Sequence, residues 1–309
     1  MTDERTFDVI IIGAGPAGLQ AALHAVRKKA RVVVVGRPGR SSIATAHVEN
    51  YLCVEGVVAG EELLRIGVAQ VKKFGAELLE EDVLHVSQAE DGMVQVRTEC
   101  CTLSAWALVI ATGTSRKKLR VKGEKELAGR GVSYCVDCDA NFFRNAKVSV
   151  VGDGSAAVDG ALTLTGYASE VTLVTHGLDV AKDLADKLKA SSVRVMVGTW
   201  VREISGEQAV TGVVLENDQV LEVEGVFVEL GSKGAMELAV GLGVLLDTET
   251  FTHIVTNKKQ ETNVPGIFSA GDITGHPYQM AKAVGEGCVA GLAAANYARN
   301  QQKTVNEVD

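Results

Sequence analysis

Apolar positions in this chain gather into short unbroken runs instead of alternating with polar ones. Residues 7–12 (FDVIII), 31–35 (RVVVV), 107–110 (ALVI), 147–151 (KVSVV), 171–175 (VTLVT) and 266–269 (GIFS) are such runs. Runs rich in β-branched residues predict parallel strands covered on both faces. Three of them lead into a glycine turn and then a helical stretch. GAGPAG follows the first run, with a helix to about Lys29; GDGSAA follows 147–151, with a helix to about Tyr167; AGD follows 266–269, ahead of a Gly/Ala-rich helix from about Gln279 to Ala298. Strand–turn–helix units predict right-handed βαβ crossovers, each glycine turn lying at the carboxyl edge of its sheet. The polar tail 300–309 is expected to fray.

The expected fold class is α/β, with two Rossmann-like nucleotide-binding domains, the second inserted into the first. Residues 1–115 and 245–309 form the first domain and 116–244 the second. A chain of 309 residues suits two domains of about 150 residues, each with its own core. Hydrophobic residues at 46% and charged residues at 23% exclude a disordered or fibrous chain. The 39 acidic and 31 basic side chains give a net charge of -8, which argues against nucleic-acid or anionic-membrane partners. Residues 9–26 are long enough for a membrane span, but Gly13, Gly15, Pro16, Gly18, Gln20 and His24 fit a strand, turn and helix better. The N-terminus MTDERTFD lacks the positive region of a signal peptide. A soluble, cytoplasmic protein is expected.

Gly13, Gly15 and Gly18 form a G-x-G-x-x-G between strand and helix. The first glycine makes the turn, the second lets a pyrophosphate approach the backbone, and the third lets the helix pack on the strand. Free N–H groups and the dipole at the helix start suit phosphates. Gly152, Gly154 and Ala157 repeat the pattern as G-x-G-x-x-A. Neither following strand ends in a ribose-binding acid: the first reads Val35-Gly36-Arg37, the second Thr175-His176-Gly177. A repurposed second fold is therefore the competing reading, with His176 a turn residue.

Cys135-Val136-Asp137-Cys138 is a C-x-x-C. Zinc would need two further ligands, and neither the adjacent Cys100-Cys101 nor any His pair supplies them. A redox pair is the favoured reading and no metal is expected. Asp139 follows directly and can shuttle a proton on thiolate attack, although a plain turn carboxylate is the alternative. Asp137 is a second anion, which disfavours the thiolates. Cys53, Cys100, Cys101 and Cys288 are read as buried or incidental, and Trp106 and Trp200 as packing residues.

With these motifs on nearly the whole chain, the sequence resembles the low-molecular-weight thioredoxin reductases, flavoprotein disulfide reductases. The carriers are VIIIGAGPAGL, HVEN, ATGTS, GRGVSYCVDCD, FFRN, KVSVVGDGSAAV, ASEVTLV, VPGIFSAGD and EGCVAGLAA. The resemblance implies FAD in the first domain, NADPH at the second, a thioredoxin-like protein as partner, and a homodimer. Gly13, Gly15 and Gly18 would face the FAD pyrophosphate; Thr112, Gly113 and Asn50 would line its site; Asp272 would bind its ribityl or pyrophosphate region. Gln279, Met280 and Ala281 would point a helix N-terminus at the isoalloxazine. Cys138 would be the flavin-proximal thiol, Cys135 the one attacking the partner, and Asp139 the proton carrier. Arg130, Phe142 and Phe143 match positions that contact thioredoxin. The dithiol has to meet flavin and partner in turn, so hinges are expected near 113–117 and 243–247.

The chain departs from the family on the pyridine-nucleotide side. The His-Arg-Arg stretch reads Thr175-His176-Gly177-Leu178, and Gly-His-Ser-Pro-Asn-Thr reads Gly231-Ser232-Lys233-Gly234-Ala235-Met236. The flavin loop Gly-Gly-Gln is replaced around Arg40-Ser41-Ser42, and Arg-Gln-Ala becomes Gln279-Met280-Ala281. Alternatives therefore stand beside NADPH: ferredoxin, a deazaflavin or NADH as donor, or a redox-sensing flavoprotein without turnover. A flavin-free NAD dehydrogenase is disfavoured, because both ribose acids are missing.

Overall fold

The computed structural model describes residues 4–114, 118–230, 235–248 and 252–308. In chain order the first elements are β1 (Glu4–Ile12), α1 (Pro16–Arg27), β2 (Val32–Val35), β3 (His47–Val48), β4 (Val58–Ala59), α2 (Gly60–Lys73), β5 (Glu77–Leu79), β6 (Val83–Gln88), β7 (Val94–Thr98) and β8 (Thr102–Ile110). Then come β9 (Val132–Ser133), α3 (Val136–Asp139), β10 (Lys147–Val151), α4 (Ser155–Leu164), β11 (Glu170–Thr175), α5 (Lys182–Lys189) and β12 (Arg194–Val197). The remainder is β13 (Val201–Ser205), β14 (Gly212–Leu215), β15 (Val220–Leu221), β16 (Gly225–Val228), α6 (Ala235–Gly241), β17 (Ile267–Ser269) and α7 (Met280–Val308). Two compact units result: Met1–Ser115 with Gly234–Asp309, and Arg116–Lys233 inserted between them.

In the first unit the sheet order is β5-β2-β1-β8-β7-β6, with β17 also paired to β8. The β5-β2-β1-β8 part is parallel, as is β17 on β8. The direction of strand succession reverses at β1, the switch point where α/β sheets leave a crevice at their carboxyl edge. The unbroken apolar runs have a direct cause. Val9, Ile11, Val32 and Val34 feed the core under α1 and α7, whereas Phe7, Ile10, Ile12, Val33 and Val35 feed the core on the opposite face. α1 and α7 lie backbone to backbone, since a Cβ on Gly287 would sit 2.2 Å from the Ala17 carbonyl oxygen.

Leu238, Ala239 and Val244, expected in the second domain, are buried in the first unit's second core, so the first compact unit resumes ahead of residue 245. The tail does not fray at 300: α7 continues to Val308, tied by Arg299 to the Lys28 carbonyl and by Gln302 to Asp8. The first expected hinge includes 115–117, and the Gly231–Met236 stretch includes 231–234; both sets lie outside the described residues.

The second unit repeats the plan. Its sheet is parallel throughout in the order β12-β11-β10-β16-β9, so succession reverses at β10. A separate antiparallel sheet, β13-β14-β15, contributes Val201, Ile204, Val213, Leu215 and Leu221 to a core shared with Val151, Val174, Val226 and Val228. No described helix is long and apolar enough to cross a membrane.

Candidate functional site

In the first unit the ends of β1, β2, β8 and β17 converge at the carboxyl edge. Gly13 N–H donates to the Val35 carbonyl, Ala111 N–H to Ile12, and Ala270 N–H to Ile110. Gly13 adopts φ +113°, and a Cβ there would meet the Ala111 oxygen at 2.2 Å; at Gly18 it would meet the Gly13 oxygen at 1.8 Å. Both glycines are thus explained by protein contacts. Gly15 is not, because its Cβ would meet only the Ser41 hydroxyl, at 3.1 Å. The turn therefore keeps space that no protein backbone fills. Gly15 is also the N-cap of α1, without a side-chain acceptor for the first N–H groups, so a phosphate can take them.

The remaining expected residues of this unit sit on the same edge. Thr112 and Gly113 follow β8, and Asp272 opens a short turn after β17. Gln279 immediately precedes α7, and its carbonyl accepts Ala283 N–H at 3.0 Å. Asn50 Nδ2 donates to Gln279 Oε1 at 3.2 Å, bringing together two residues 229 apart in sequence. Met280 and Ala281 form the first turn. Lys282 Nζ is held by the carbonyls of Gly271 (2.9 Å) and Gly275 (2.8 Å), Thr274 Oγ1 (2.9 Å) and Glu286 (3.1 Å). Burial raises the Asp272 carboxyl above its ordinary range, with Glu286 adding to the rise while Lys282 and His276 oppose it. At the end of β2, Arg37 turns back onto buried Asp82 and Glu99, each at 2.7 Å. These residues offer a phosphate turn, a half-buried carboxylate and a helix N-terminus on one edge, which fits a dinucleotide cofactor.

In the second unit, β9 ends in the redox motif. Cys135 and Cys138 form a disulfide with a Cα–Cα distance of 5.3 Å. Cys135 is buried and Cys138 exposed. Cys135 is the N-cap of α3, and its sulfur accepts Cys138 N–H at 3.1 Å. Asp139 is oriented by Ser133, whose hydroxyl donates to Oδ2 at 2.7 Å and accepts Cys135 N–H at 3.1 Å. Just past the end of neighbouring β16, buried Glu229 accepts Val136 N–H through Oε1 at 3.3 Å. Asp137 is exposed. Phe142 is 81% exposed, whereas Phe143 packs edge-on against Phe227 at 5.0 Å. Arg130 donates to the Glu126 carbonyl.

The second glycine turn, Gly152 to Ala157, follows β10 and opens α4, with Gly154 as N-cap. Asp153, inside the turn, reaches the end of β11: its Oδ1 accepts Thr175 Oγ1–H at 2.7 Å and His176 N–H at 3.0 Å. A carboxylate from the glycine turn therefore lies at the end of β11, where the strand itself carries none. His176 is exposed and stacks on Trp200 with centroids 4.5 Å apart and planes 7° apart.

Asp153, Ser133 and Glu229 escaped the sequence reading. An acid at the first variable position of G-x-G and an acid closing an apolar run (VFVEL) were the available signals. The other cysteines are not all buried: Cys53 and Cys100 are exposed and Cys101 and Cys288 intermediate, because Cys53 lies on a loop at φ +69° and Cys100 on a hairpin turn.

Residues 7–287 match the family described as pyridine nucleotide-disulphide oxidoreductase. A thioredoxin reductase of Listeria monocytogenes is 36% identical over 316 aligned positions, covering 98% of each chain. The crystal structure of an atypical thioredoxin reductase from Desulfovibrio vulgaris Hildenborough aligns with a TM-score of 0.84 and 32% identity, covering 95% of this chain and 98% of that one. A ferredoxin-flavin thioredoxin reductase from Clostridium acetobutylicum aligns with a TM-score of 0.69 and 31% identity, covering 97% and 99%.

Proposed function

The chain belongs to the pyridine nucleotide-disulphide oxidoreductase family, and from that premise we propose that it is an FAD-dependent disulfide reductase passing electrons to thioredoxin or a similar dithiol protein. The observation that carries this reading is the Cys135–Cys138 disulfide at the carboxyl edge of a nucleotide-type sheet, with Asp139 beside it. Bound FAD supplies a two-electron carrier that links donor to disulfide. The Gly13–Gly18 turn would hold its pyrophosphate, with Gly15 leaving the room for it, Thr112, Gly113 and Asp272 would hold its linking chain, and Asn50, Gln279, Met280 and Ala281 would line the region of the ring.

Electrons arrive at Cys138, the exposed member of the pair. The S–S bond breaks and the electron pair remains on Cys135 Sγ, which already faces Cys138 N–H at 3.1 Å. That N–H favours the thiolate. Asp139, fixed by Ser133, delivers and removes the proton. Cys135 thiolate then attacks the partner's disulfide, and Cys138 resolves the mixed disulfide, leaving the partner as a dithiol. Cys138→Ser keeps FAD and loses reductase activity; full activity in that variant would refute the assignment.

NADPH is the donor that the family analogy supplies, and NADH is the reading favoured by one observation. Asp153 places a carboxylate at the end of β11, where the adenosine ribose of a nicotinamide cofactor would lie. A carboxylate accepts ribose hydroxyls and repels a 2′-phosphate, and the Thr175-His176-Gly177-Leu178 stretch offers no arginine to offset it. Anaerobic mixing with each donor decides. NADH is expected to bleach the flavin faster than NADPH, by about tenfold or more, and Asp153→Asn to narrow the gap. Bleaching by reduced ferredoxin alone would overturn the donor assignment and leave the dithiol chemistry standing. A prereduced protein that reduces no thioredoxin would leave only a redox sensor.

A further inference from the structure

Cys100 and Cys101 take no part in the chemistry above. They occupy the turn between β7 and β8, which the Thr98 hydroxyl gathers together. That oxygen accepts Cys100 N–H at 3.4 Å and Cys101 N–H at 3.1 Å, and lies 3.4 Å from Cys101 Sγ. Thr98 N–H in turn donates to the Cys101 carbonyl at 2.9 Å. Glu99 anchors the inner side of the turn. Its side chain is 1% exposed, pairs with Arg37 at 2.7 Å, and accepts Asp82 N–H at 2.9 Å. With Glu99 drawn inward, Cys100 is exposed and Cys101 partly so, and neither is in a disulfide.

Successive Cα atoms lie ~3.8 Å apart across a trans peptide. Rotation about the two side-chain torsions can therefore bring both sulfurs onto one atom. Sulfur ligands of this kind select soft acceptors. We infer that Cys100–Cys101 is a chelating site for monosubstituted trivalent arsenicals, R–As=O. Two S–As bonds form and the As=O bond is lost. The two thiol protons leave with that oxygen as water, arsenic stays trivalent, and no electrons are transferred. Cys53 and Cys288 have no cysteine neighbour in sequence and offer single sulfurs. Cys135 and Cys138 are bonded to each other and offer no thiol until reduced.

The test uses the full chain with its Cys135–Cys138 disulfide intact and phenylarsine oxide as the probe. Intact-mass spectrometry is expected to show one phenylarsenic adduct, with two fewer thiols open to alkylation. A dithiol competitor strips the adduct and a monothiol does not. Cys100→Ser and Cys101→Ser each weaken binding by about tenfold or more, as loss of one arm of a chelate requires. A Cys53→Ser/Cys288→Ser variant keeps the adduct. The inference is overturned by an adduct that survives in Cys100→Ser/Cys101→Ser, by one that needs Cys53 or Cys288, or by a wild-type protein that takes up none. The readout needs no turnover, so it stands or falls apart from the reductase assignment.

Discussion

Gly13, Gly15 and Gly18 lack side chains for different reasons, and substitution separates them. Alanine at Gly18 drives a methyl to 1.8 Å from the Gly13 oxygen, so the backbone has to shift. Overpacking of this kind costs ~1–3 kcal/mol or more, and Gly18→Ala is expected to lower the melting temperature of the cofactor-free protein. Gly15→Ala meets only a movable Ser41 hydroxyl at 3.1 Å. Its melting temperature should stay near wild type while FAD retention, read by released-flavin fluorescence, falls. Asp272 separates stability from binding in another way. Burial raises its carboxyl pKa above the ordinary 3.8, so folding favours the protonated form. Its cost to folding is absent below 3.8 and grows as pH rises through the folded-state value. Melting curves of the cofactor-free protein against pH should therefore show Asp272→Asn gaining on wild type as pH rises from 4 towards neutrality, while the variant binds FAD less well. A wild-type advantage at neutral pH without cofactor would contradict this.

At the scale of elements, the runs that feed two cores were legible in the sequence. Residues 9–12 and 32–35 are apolar throughout because they feed the cores on both faces of their sheet, and Val148, Val150, Val151, Val171, Leu173 and Val174 are all buried in the second unit. The β6–β7–β8 meander and the β13–β15 sheet were not read. Val94–Thr98 buries alternate residues only, and β15 holds two residues, so neither yields an unbroken run. The redox pair and both glycine turns were legible because their spacing is local. Asp153, Ser133 and Glu229 were not, because their partners lie 22, 6 and 93 residues away. The His176–Trp200 stack likewise depends on a contact that only the fold creates. If His176 offers its open face to adenine, Trp200→Ala should raise the KM for NADH several-fold with kcat little changed, since aromatic pairing contributes ~0.5–1.5 kcal/mol. An unchanged KM would remove the stack from the donor site.

For the whole molecule, disulfide reductase turnover requires two redox centres on two units of one chain: a flavin on the unit that contains Gly13–Gly18, and a disulfide on the unit inserted into it. Each centre accepts an electron pair, and the dithiol is the one that passes it on to a partner protein. Counting electrons tests this most directly. Anaerobic titration of the purified yellow protein with dithionite should consume two electrons for the flavin and two more for the disulfide. In Cys135→Ser/Cys138→Ser the flavin should still bleach after two electrons, with no further uptake. Equal uptake by both proteins, or a purified protein that carries no flavin and binds none when FAD is added, would contradict the account.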